Sequence, residues 1–381
     1  MNLGIISFAH TNYGVLQEDT KELIKNVTEK AINSVERGID PKEIGLVVTS
    51  CVDNQFSNQH QTGTLAWSFL KNPDAIGFRV EAACSSGSMA VYIARQMILS
   101  GYINNALIVG FEKMSETPTD KVTSVLIRGG SPEERKIGVT QPAAYAFMAR
   151  MYMEKYGASE DDYALVAVKN HENALRNPWA QFKKKITIED VKNSKMVASP
   201  IRLLHCSPIS DGAAAIIISG EPKKYTDTPV NIKSMTVAHD TLSVFEREDP
   251  TYLLATYKAA NQAYKQAGLE PKQVDFAEVH DAFTPAEIMA YEAIGFSEKG
   301  SGYRLIREGE TMFDGSKPVN TSGGLKAKGH PIGATGIGMM VESFLQLRGQ
   351  AGKRQLPKAE IGLVENHGGT GAVAVVTILG R

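Results

Sequence analysis

Cysteine is scarce in this sequence, which has only Cys51, Cys84 and Cys206 among its 381 residues. Three widely spaced cysteines do not make a disulfide framework and are typical of a reducing compartment. Their spacing also matches none of the cysteine patterns that bind zinc. We therefore expect a cytoplasmic protein without a metal centre.

Long apolar runs and an excess of charge of either sign are also missing. No stretch approaches the ~18 consecutive apolar residues that suggest a membrane-spanning helix. The formal net charge is −1, which gives no overall basic surface of the kind that nucleic-acid binding usually requires. Residues 1–7 resemble the start of a strand rather than a signal peptide. We expect a globular protein that binds neither membranes nor nucleic acids.

Segments with the pattern of strands alternate with segments that have the pattern of helices. The predicted strands are 3–9, 44–49, 78–81, 106–110, 213–219, 274–279 and 361–364. The predicted helices of the main pattern are 19–37, 62–70, 89–99 and 338–347. Such alternation indicates an α/β fold with a mostly parallel sheet. The segment 113–205 interrupts it with further helices near 143–156 and 159–174, and we interpret it as an insertion.

The chain also repeats itself after a shift of 230 residues. Between residues 18 and 44 the match needs no gap, and six identities carry it: Glu18, Asp19, Leu23, Gly38, Pro41 and Lys42 fall on Glu248, Asp249, Leu253, Gly268, Pro271 and Lys272. Self-similarity at so long a period indicates a duplicated architecture. Two copies predict a pseudo-dimeric fold with a pocket between its halves.

Cys84 lies between a predicted strand and a predicted helix, in the segment Glu-Ala-Ala-Cys-Ser-Ser-Gly-Ser-Met-Ala that starts at Glu81. A helix N-terminus stabilises negative charge and can lower the pKa of a thiol. The small residues that follow would let a substrate approach closely. The alternative is a buried structural cysteine, because free cysteines are among the most buried residues.

A glycine-rich loop at 321–336 surrounds His330, which precedes Pro331. Its five glycines suit a loop whose backbone comes close to another group. Because a second apolar helix follows this loop as one follows Cys84, we expect Cys84 and His330 to form a Cys–His pair.

These motifs resemble the thiolases over essentially the whole chain. The Cys84 segment is similar to their acyl-accepting loop, and Gly324–Gly336 to their Gly-His-Pro loop. The tetrapeptide that starts at His280, His-Asp-Ala-Phe, resembles the form found in sterol-carrier-protein-type thiolases, and segments 177–182 and 208–215 support the same subgroup.

The resemblance implies a duplicated, five-layer αβαβα fold. It places an N-terminal half at 1–112 and 206–225, an inserted domain that covers the substrate at 113–205, and a C-terminal half at 226–381.

It also implies roles for individual residues. Cys84 would form an acyl-enzyme, and His330 would stabilise the oxyanion or activate the thiol. His280 takes the position of an asparagine that holds a water in the family; the alternative is a histidine hydrogen-bonded to Asp281. The backbone N–H of Cys84 and that of Gly368 or Gly369 would form a second oxyanion hole.

The second catalytic cysteine of most thiolases is absent, because residues 365–371 read Glu-Asn-His-Gly-Gly-Thr-Gly. His367 can occupy its position, so we expect His367 to be the base of condensation, in preference to His280. The reaction would condense two acetyl-CoA to acetoacetyl-CoA or cleave a 3-oxoacyl-CoA by thiolysis. Two alternatives are a ketoacyl-synthase-like condensing enzyme and an acyl-CoA-channelling subunit of a complex.

Coenzyme A thioesters would be substrates, with no permanently bound cofactor. We expect Ser207 to contact the pantetheine and Lys183 to contact the phosphates of coenzyme A. The alternative for residues 183–185, which are all lysines, is a solvated surface turn. The expected assembly is a homodimer or higher homo-oligomer. A small acyl-CoA-binding protein or hydroxymethylglutaryl-CoA synthase is a further expected partner.

Overall fold

The computed structural model describes residues 3–381, so Met1 and Asn2 of the predicted N-terminal strand lie outside the described residues. The strands are β1 Gly4–His10, β2 Leu46–Ser50, β3 Ile76–Val80, β4 Asn105–Glu112, β5 Met196–Ala198, β6 Ile201–Arg202, β7 Gly212–Ser219, β8 Val230–His239, β9 Phe276–Val279, β10 Ile361–Gly368 and β11 Val373–Gly380. The helices are α1 Thr20–Asn33, α2 Asn54–Ser57, α3 Thr62–Leu70, α4 Ser86–Leu99, α5 Thr119–Leu126, α6 Pro132–Lys136, α7 Gln141–Tyr156, α8 Glu160–Ala174, α9 Ile188–Asn193, α10 Leu254–Ala267, α11 Thr284–Ala293, α12 Gly302–Arg307 and α13 Ile332–Arg348.

Nine strands form one sheet in the order β3-β2-β4-β7-β1-β8-β11-β10-β9. In the first half β1, β2, β3 and β4 run in one direction and β7 runs against them. In the second half β8, β9 and β10 share a direction and β11 opposes them. The halves join through a short antiparallel pairing of β1 with β8. Read outward from this junction, β8, β11, β10 and β9 repeat the order and directions of β1, β7, β4 and β2, and β3 extends the first half by one strand. This repetition confirms the duplicated α/β fold, in which most strands of each half share a direction.

The buried side chains separate into layers, because successive residues of a strand point to opposite faces of the sheet. Val48 of β2 packs in the same core as α4 and α13, whereas Val47 packs with α1 and α3. In the second half Val375 of β11 faces the core of α4 and α13, and Val376 faces that of α10 and α11. The two central helices thus lie between the two halves of the sheet, as the five-layer arrangement requires.

Glycines allow α4 and α13 to approach closely where both helices begin. A Cβ atom on Gly87 would lie 2.9 Å from the carbonyl oxygen of Gly333, and one on Gly110 of β4 would overlap the same residue. Only glycine permits such contact between backbones. The contact brings the loops before α4 and α13, which contain Cys84 and His330, to the same place.

The segment 113–205 adds no strand to the nine-stranded sheet within the described residues. It contributes helices α5 to α9 and a small antiparallel ladder of β5 with β6. Tyr145, Tyr152 and Tyr163 of α7 and α8 are buried against the second half. The domain boundaries remain a prediction.

The largest differences from the sequence prediction are in two helices. α1 ends at Asn33, not at residue 37, and α13 begins at Ile332, not at residue 338. Gly333 and Gly336 are poor helix formers, yet close packing against α4 places both inside α13. Among residues 3–381, none of the helices combines the length and apolar composition needed to cross a membrane.

Candidate active site

Cys84 lies in the tight turn between β3 and α4. Ala83 has a φ of 48°, and Ser85 is the residue that precedes the first turn of α4. Burial raises the pKa of the Cys84 thiol to about 12, and this effect exceeds the opposite effect of the Gly369 backbone N–H. The direction is opposite to the lowering that a helix N-terminus favours, because desolvation dominates. The thiol needs a base to react.

His330 is fixed by hydrogen bonds to its backbone and to its ring. Its N–H donates to Oγ of Ser210 (2.9 Å), and its Nδ1 lies 2.7 Å from Oγ1 of Thr335. The Thr335 hydroxyl donates its proton to the carbonyl oxygen of Pro331 (3.0 Å). Thr335 therefore engages Nδ1 of His330 and leaves Nε2 free, and a neutral ring with its hydrogen on Nδ1 has its lone pair on Nε2.

His280 follows β9 directly, at the carboxyl end of the strand. Its N–H donates to Oε2 of Glu365 (3.0 Å), and its Nδ1 lies 3.1 Å from Nδ2 of Asn366. Its Nε2 is buried and has no hydrogen-bond partner among the described residues. Asp281 instead accepts hydrogen bonds from the N–H groups of Leu325 and Lys326 (2.6 and 3.2 Å). The alternative, a hydrogen bond between the side chains of His280 and Asp281, does not occur among the described residues.

Cys84, His280 and His330 meet at one point. Sγ of Cys84 and one ring nitrogen from each histidine all lie within 4.8 Å of one another. Because both Nδ1 atoms are bonded elsewhere, Nε2 is the nitrogen left to face the cluster. Burial, with the nearby His367, lowers the pKa of His330 to about 3, and burial lowers that of His280 well below its usual value. Both rings are neutral at physiological pH. The cluster therefore places two neutral imidazole rings beside a cysteine thiol.

His367 lies beside this cluster, with its ring centroid 4.5 Å from that of His280. Its two nitrogens are already engaged, Nε2 with the hydroxyl of Tyr145 and Nδ1 with Oε1 of Glu365, both at 2.9 Å. Nothing is left on the ring to accept a proton from a substrate carbon. These contacts favour a positioning role for His367 over the expected role of base.

The other predicted residues have distinct surroundings. The N–H of Ser207 donates to the carbonyl oxygen of Ala282 (2.8 Å), next to His280. A Cβ on Gly368 would lie 2.7 Å from the carbonyl oxygen of Ala82, so this loop packs against the Cys84 turn. Lys183 is exposed and borders a surface groove of about 570 Å³.

Sequence reasoning did not assign roles to Asn366, Tyr145, Glu365 and Thr335, which hold the three histidines. Glu365 and Asn366 end a buried strand, where ligands collect in α/β folds, and this position could have marked them. Tyr145 gave no local signal, because it reaches His367 from a helix 222 residues earlier in the chain.

Comparisons with known proteins cover the whole chain. Residues 3–222 match the family model "Thiolase, N-terminal domain", and residues 236–381 match "Thiolase C-terminal domain-like". The chain is 42% identical to an acetyl-CoA acetyltransferase of Methanothermobacter thermautotrophicus, with 100% of both chains covered. It is 32% identical to sterol carrier protein 2 of Bos taurus, over 98% of this chain and 70% of that protein. In fold it is similar to the structure named "Ltp2-ChsH2(DUF35) aldolase", with a TM-score of 0.85, 24% identity and coverage of 100% and 98%.

Proposed function

Because the chain belongs to the thiolase family and is therefore an acyltransferase, we propose that it joins two acetyl-CoA molecules into acetoacetyl-CoA, or runs the reverse thiolysis, through an acyl-enzyme on Cys84. The convergence of Cys84, His280 and His330 within 4.8 Å carries this proposal. The full-length similarity to an acetyl-CoA acetyltransferase supports acetyl-CoA as the substrate.

Acylation begins when Nε2 of His330 accepts the thiol proton as Sγ of Cys84 attacks the thioester carbonyl. The bond between the carbonyl carbon and the coenzyme A sulfur breaks, and the leaving thiolate takes that proton from His330. The products are acetyl-Cys84 and free coenzyme A, and His330 is neutral again. A neutral imidazole with a free Nε2 and a neutral thiol are the forms that this step needs.

Condensation uses the same nitrogen. Nε2 of His330 takes a proton from the methyl carbon of a second acetyl-CoA, and the resulting carbanion attacks the carbonyl of acetyl-Cys84. The bond to Sγ breaks, acetoacetyl-CoA forms, and His330 returns the proton to the Cys84 thiolate. His330 thus replaces His367 as our proposed base, because both nitrogens of His367 are occupied.

Negative charge develops on the substrate oxygens in both steps. The N–H groups of Cys84 and Gly369 are our proposed donors for the acetyl-Cys84 oxygen, since both lower the pKa of the Cys84 thiol and so favour negative charge at this position. His280 is the proposed donor for the thioester oxygen of the second acetyl-CoA. Preorganised donors of this kind typically contribute 10²–10³-fold each.

The test is to incubate the protein with acetyl-CoA and to measure both Cys84 acetylation by peptide mass and acetoacetyl-CoA production. Cys84→Ala should abolish both signals, whereas Cys206→Ala serves as the matched cysteine control and should retain them. His330→Ala should lose both steps.

Two further measurements test the alternatives. Turnover with a malonyl-carrier protein as the sole donor would reveal a ketoacyl synthase. Metal analysis of the same sample would reveal an ion held by the three clustered side chains. Turnover by Cys84→Ala would refute the proposal.

We also propose a cytoplasmic homodimer. The three cysteines are free thiols, as a reducing compartment favours. The first half of the sheet ends in β3, which has a strand partner on one side only within the described chain. On the resemblance alone, a small acyl-CoA-binding protein or hydroxymethylglutaryl-CoA synthase remains a proposed partner, and co-purification of the full chain would test it.

A further inference from the structure

Asn366 touches three groups that belong to the candidate site. Its Oδ1 lies 2.9 Å from the hydroxyl of Ser88, and its Nδ2 lies 3.1 Å from the carbonyl oxygen of Cys84. The same Nδ2 lies 3.1 Å from Nδ1 of His280. The side chain is fully buried on β10 and links both halves of the molecule.

The partners decide how the amide is oriented. A backbone carbonyl can only accept a hydrogen bond, so the amide nitrogen must face Cys84, and Oδ1 accepts from Ser88. Nδ2 has two hydrogens, and the second points at Nδ1 of His280. That ring nitrogen must therefore be the acceptor, and the hydrogen of the neutral imidazole is on Nε2.

The fold reserves the space that this arrangement needs. A Cβ atom on Gly336 of α13 would overlap both Oδ1 of Asn366 and Oγ of Ser88. Glu365, the preceding residue of β10, anchors the backbone N–H of His280 at the same time. Adjacent residues of one strand therefore hold the backbone and the ring of His280.

The proposed roles of the two histidines need opposite polarity. As the base, His330 needs a lone pair on its Nε2, whereas the contact with Asn366 leaves Nε2 of His280 as an N–H group. The Nε2–H of His280 is buried without a partner. An unpaired buried donor is unfavourable, and a substrate oxygen that accepts its hydrogen bond would remove that cost.

We propose that Asn366 is a positioning residue that fixes His280 as the Nε2–H tautomer, so that His280 donates to the substrate oxygen and cannot compete with His330 as the base. This inference rests on the proposed function, because it assigns the direction of a hydrogen bond in that reaction. The lowered pKa of His280, caused first by burial and then by His367 and His330, keeps the ring neutral and so makes the choice of tautomer matter.

The direct test is nitrogen NMR of the protein labelled in its histidines, with His280→Asn used to assign the signal. The wild type should show His280 protonated at Nε2 alone. Asn366→Asp presents a carboxylate to Nδ1, which should move the hydrogen to Nδ1. A wild-type signal from a protonated Nδ1 would overturn the inference. This measurement on the wild type depends neither on enzyme activity nor on the folding of the Asn366→Asp variant.

Kinetics test the consequence. Asn366→Asp should lower kcat about 10²–10³-fold, the cost of one oxyanion donor, with KM for acetyl-CoA nearly unchanged. In a His280→Asn background the same change should cost less than about threefold, because its effect passes through His280. An equal loss in both backgrounds would mean that Asn366 is only structural. If the wild type itself forms neither acetyl-Cys84 nor acetoacetyl-CoA, the proposed function fails, whatever the tautomer is.

Discussion

The hydroxyl of Tyr145 lies 2.9 Å from Nε2 of His367 and joins α7 to β10. The same hydroxyl lies 2.8 Å from the carbonyl oxygen of Gly369, which follows β10. Nδ1 of His367 lies 2.9 Å from Oε1 of Glu365. The ring of His367 therefore links Tyr145 to Glu365 and supports the loop beside Cys84.

His367→Ala should therefore reduce acetylation and condensation together. The change removes one hydrogen-bond partner from Glu365 and one from Tyr145, and it loosens the Gly369 loop, which serves both steps. We expect destabilisation of about 1–3 kcal/mol, measured by urea unfolding. Tyr145→Phe is the matched control, because it removes only the hydroxyl and should affect both steps in the same ratio. A loss of condensation alone, with normal acetylation, would restore His367 as the base.

Alkylation of Cys84 should accelerate with pH and reach no plateau. Because burial raises its pKa to about 12, the thiolate fraction should grow about tenfold per pH unit from pH 7 to 10, whereas an ordinary cysteine levels off above its pKa of ~8.5. Iodoacetamide labelling with peptide mapping measures this. The other two cysteines, whose pKa values burial also raises, are internal references. A plateau below pH 8 would indicate a thiolate paired with an imidazolium.

Gly87→Ala should push α4 away from α13. The new Cβ would meet Gly333 O at 2.9 Å and Ile337 N at 3.2 Å, both backbone atoms that cannot rotate away. We expect a loss of about 1–3 kcal/mol in the free energy of unfolding and an activity loss of about 10²-fold from the displaced reacting groups. Gly129→Ala is the control for stability, because its nearest atom is 3.6 Å away. Equal stability of the two variants would contradict the packing argument.

Ser207→Ala and Lys183→Ala should raise KM for acetyl-CoA several-fold while kcat stays near the wild-type value, because both would contact the unreactive part of coenzyme A. Added salt should weaken the Lys183 contribution, since an exposed charge is screened. Lys185→Ala is a matched control, because Lys185 is already paired with Glu172 (2.9 Å). A KM unchanged in both test variants would exclude these contacts.

Ile76→Lys should convert the proposed dimer to a monomer in light scattering. Ile76 begins the edge strand β3 and is 37% exposed, and a lysine on an edge strand opposes pairing with a second chain. Met196→Lys is the control, because Met196 is exposed on the β5–β6 ladder, away from β3. A monomeric wild type at micromolar concentration would exclude the dimer.

Most of the fold was predictable because the patterns that specify it are local. The helix predicted at 62–70 coincides with α3, and the strand predicted at 213–219 differs from β7 by one residue. The shift of 230 residues anticipated the equivalent strand order of the two halves. Helix ends were harder to predict. Gly333 and Gly336 predict a loop, but their burial against α4 keeps them within α13.

The sequence by itself indicated that the Cys84 and His330 loops meet, because the 230-residue repeat places both at the same edge of the fold. It also indicated that His280 follows a buried strand at the end where ligands collect. Only the tertiary structure decided the state of each group. The thiol pKa depends on burial by distant residues, the free nitrogen of His280 depends on Asn366, and the engagement of His367 depends on Tyr145. Desolvation and hydrogen-bond direction arise between segments far apart in the chain, so no local pattern could contain them.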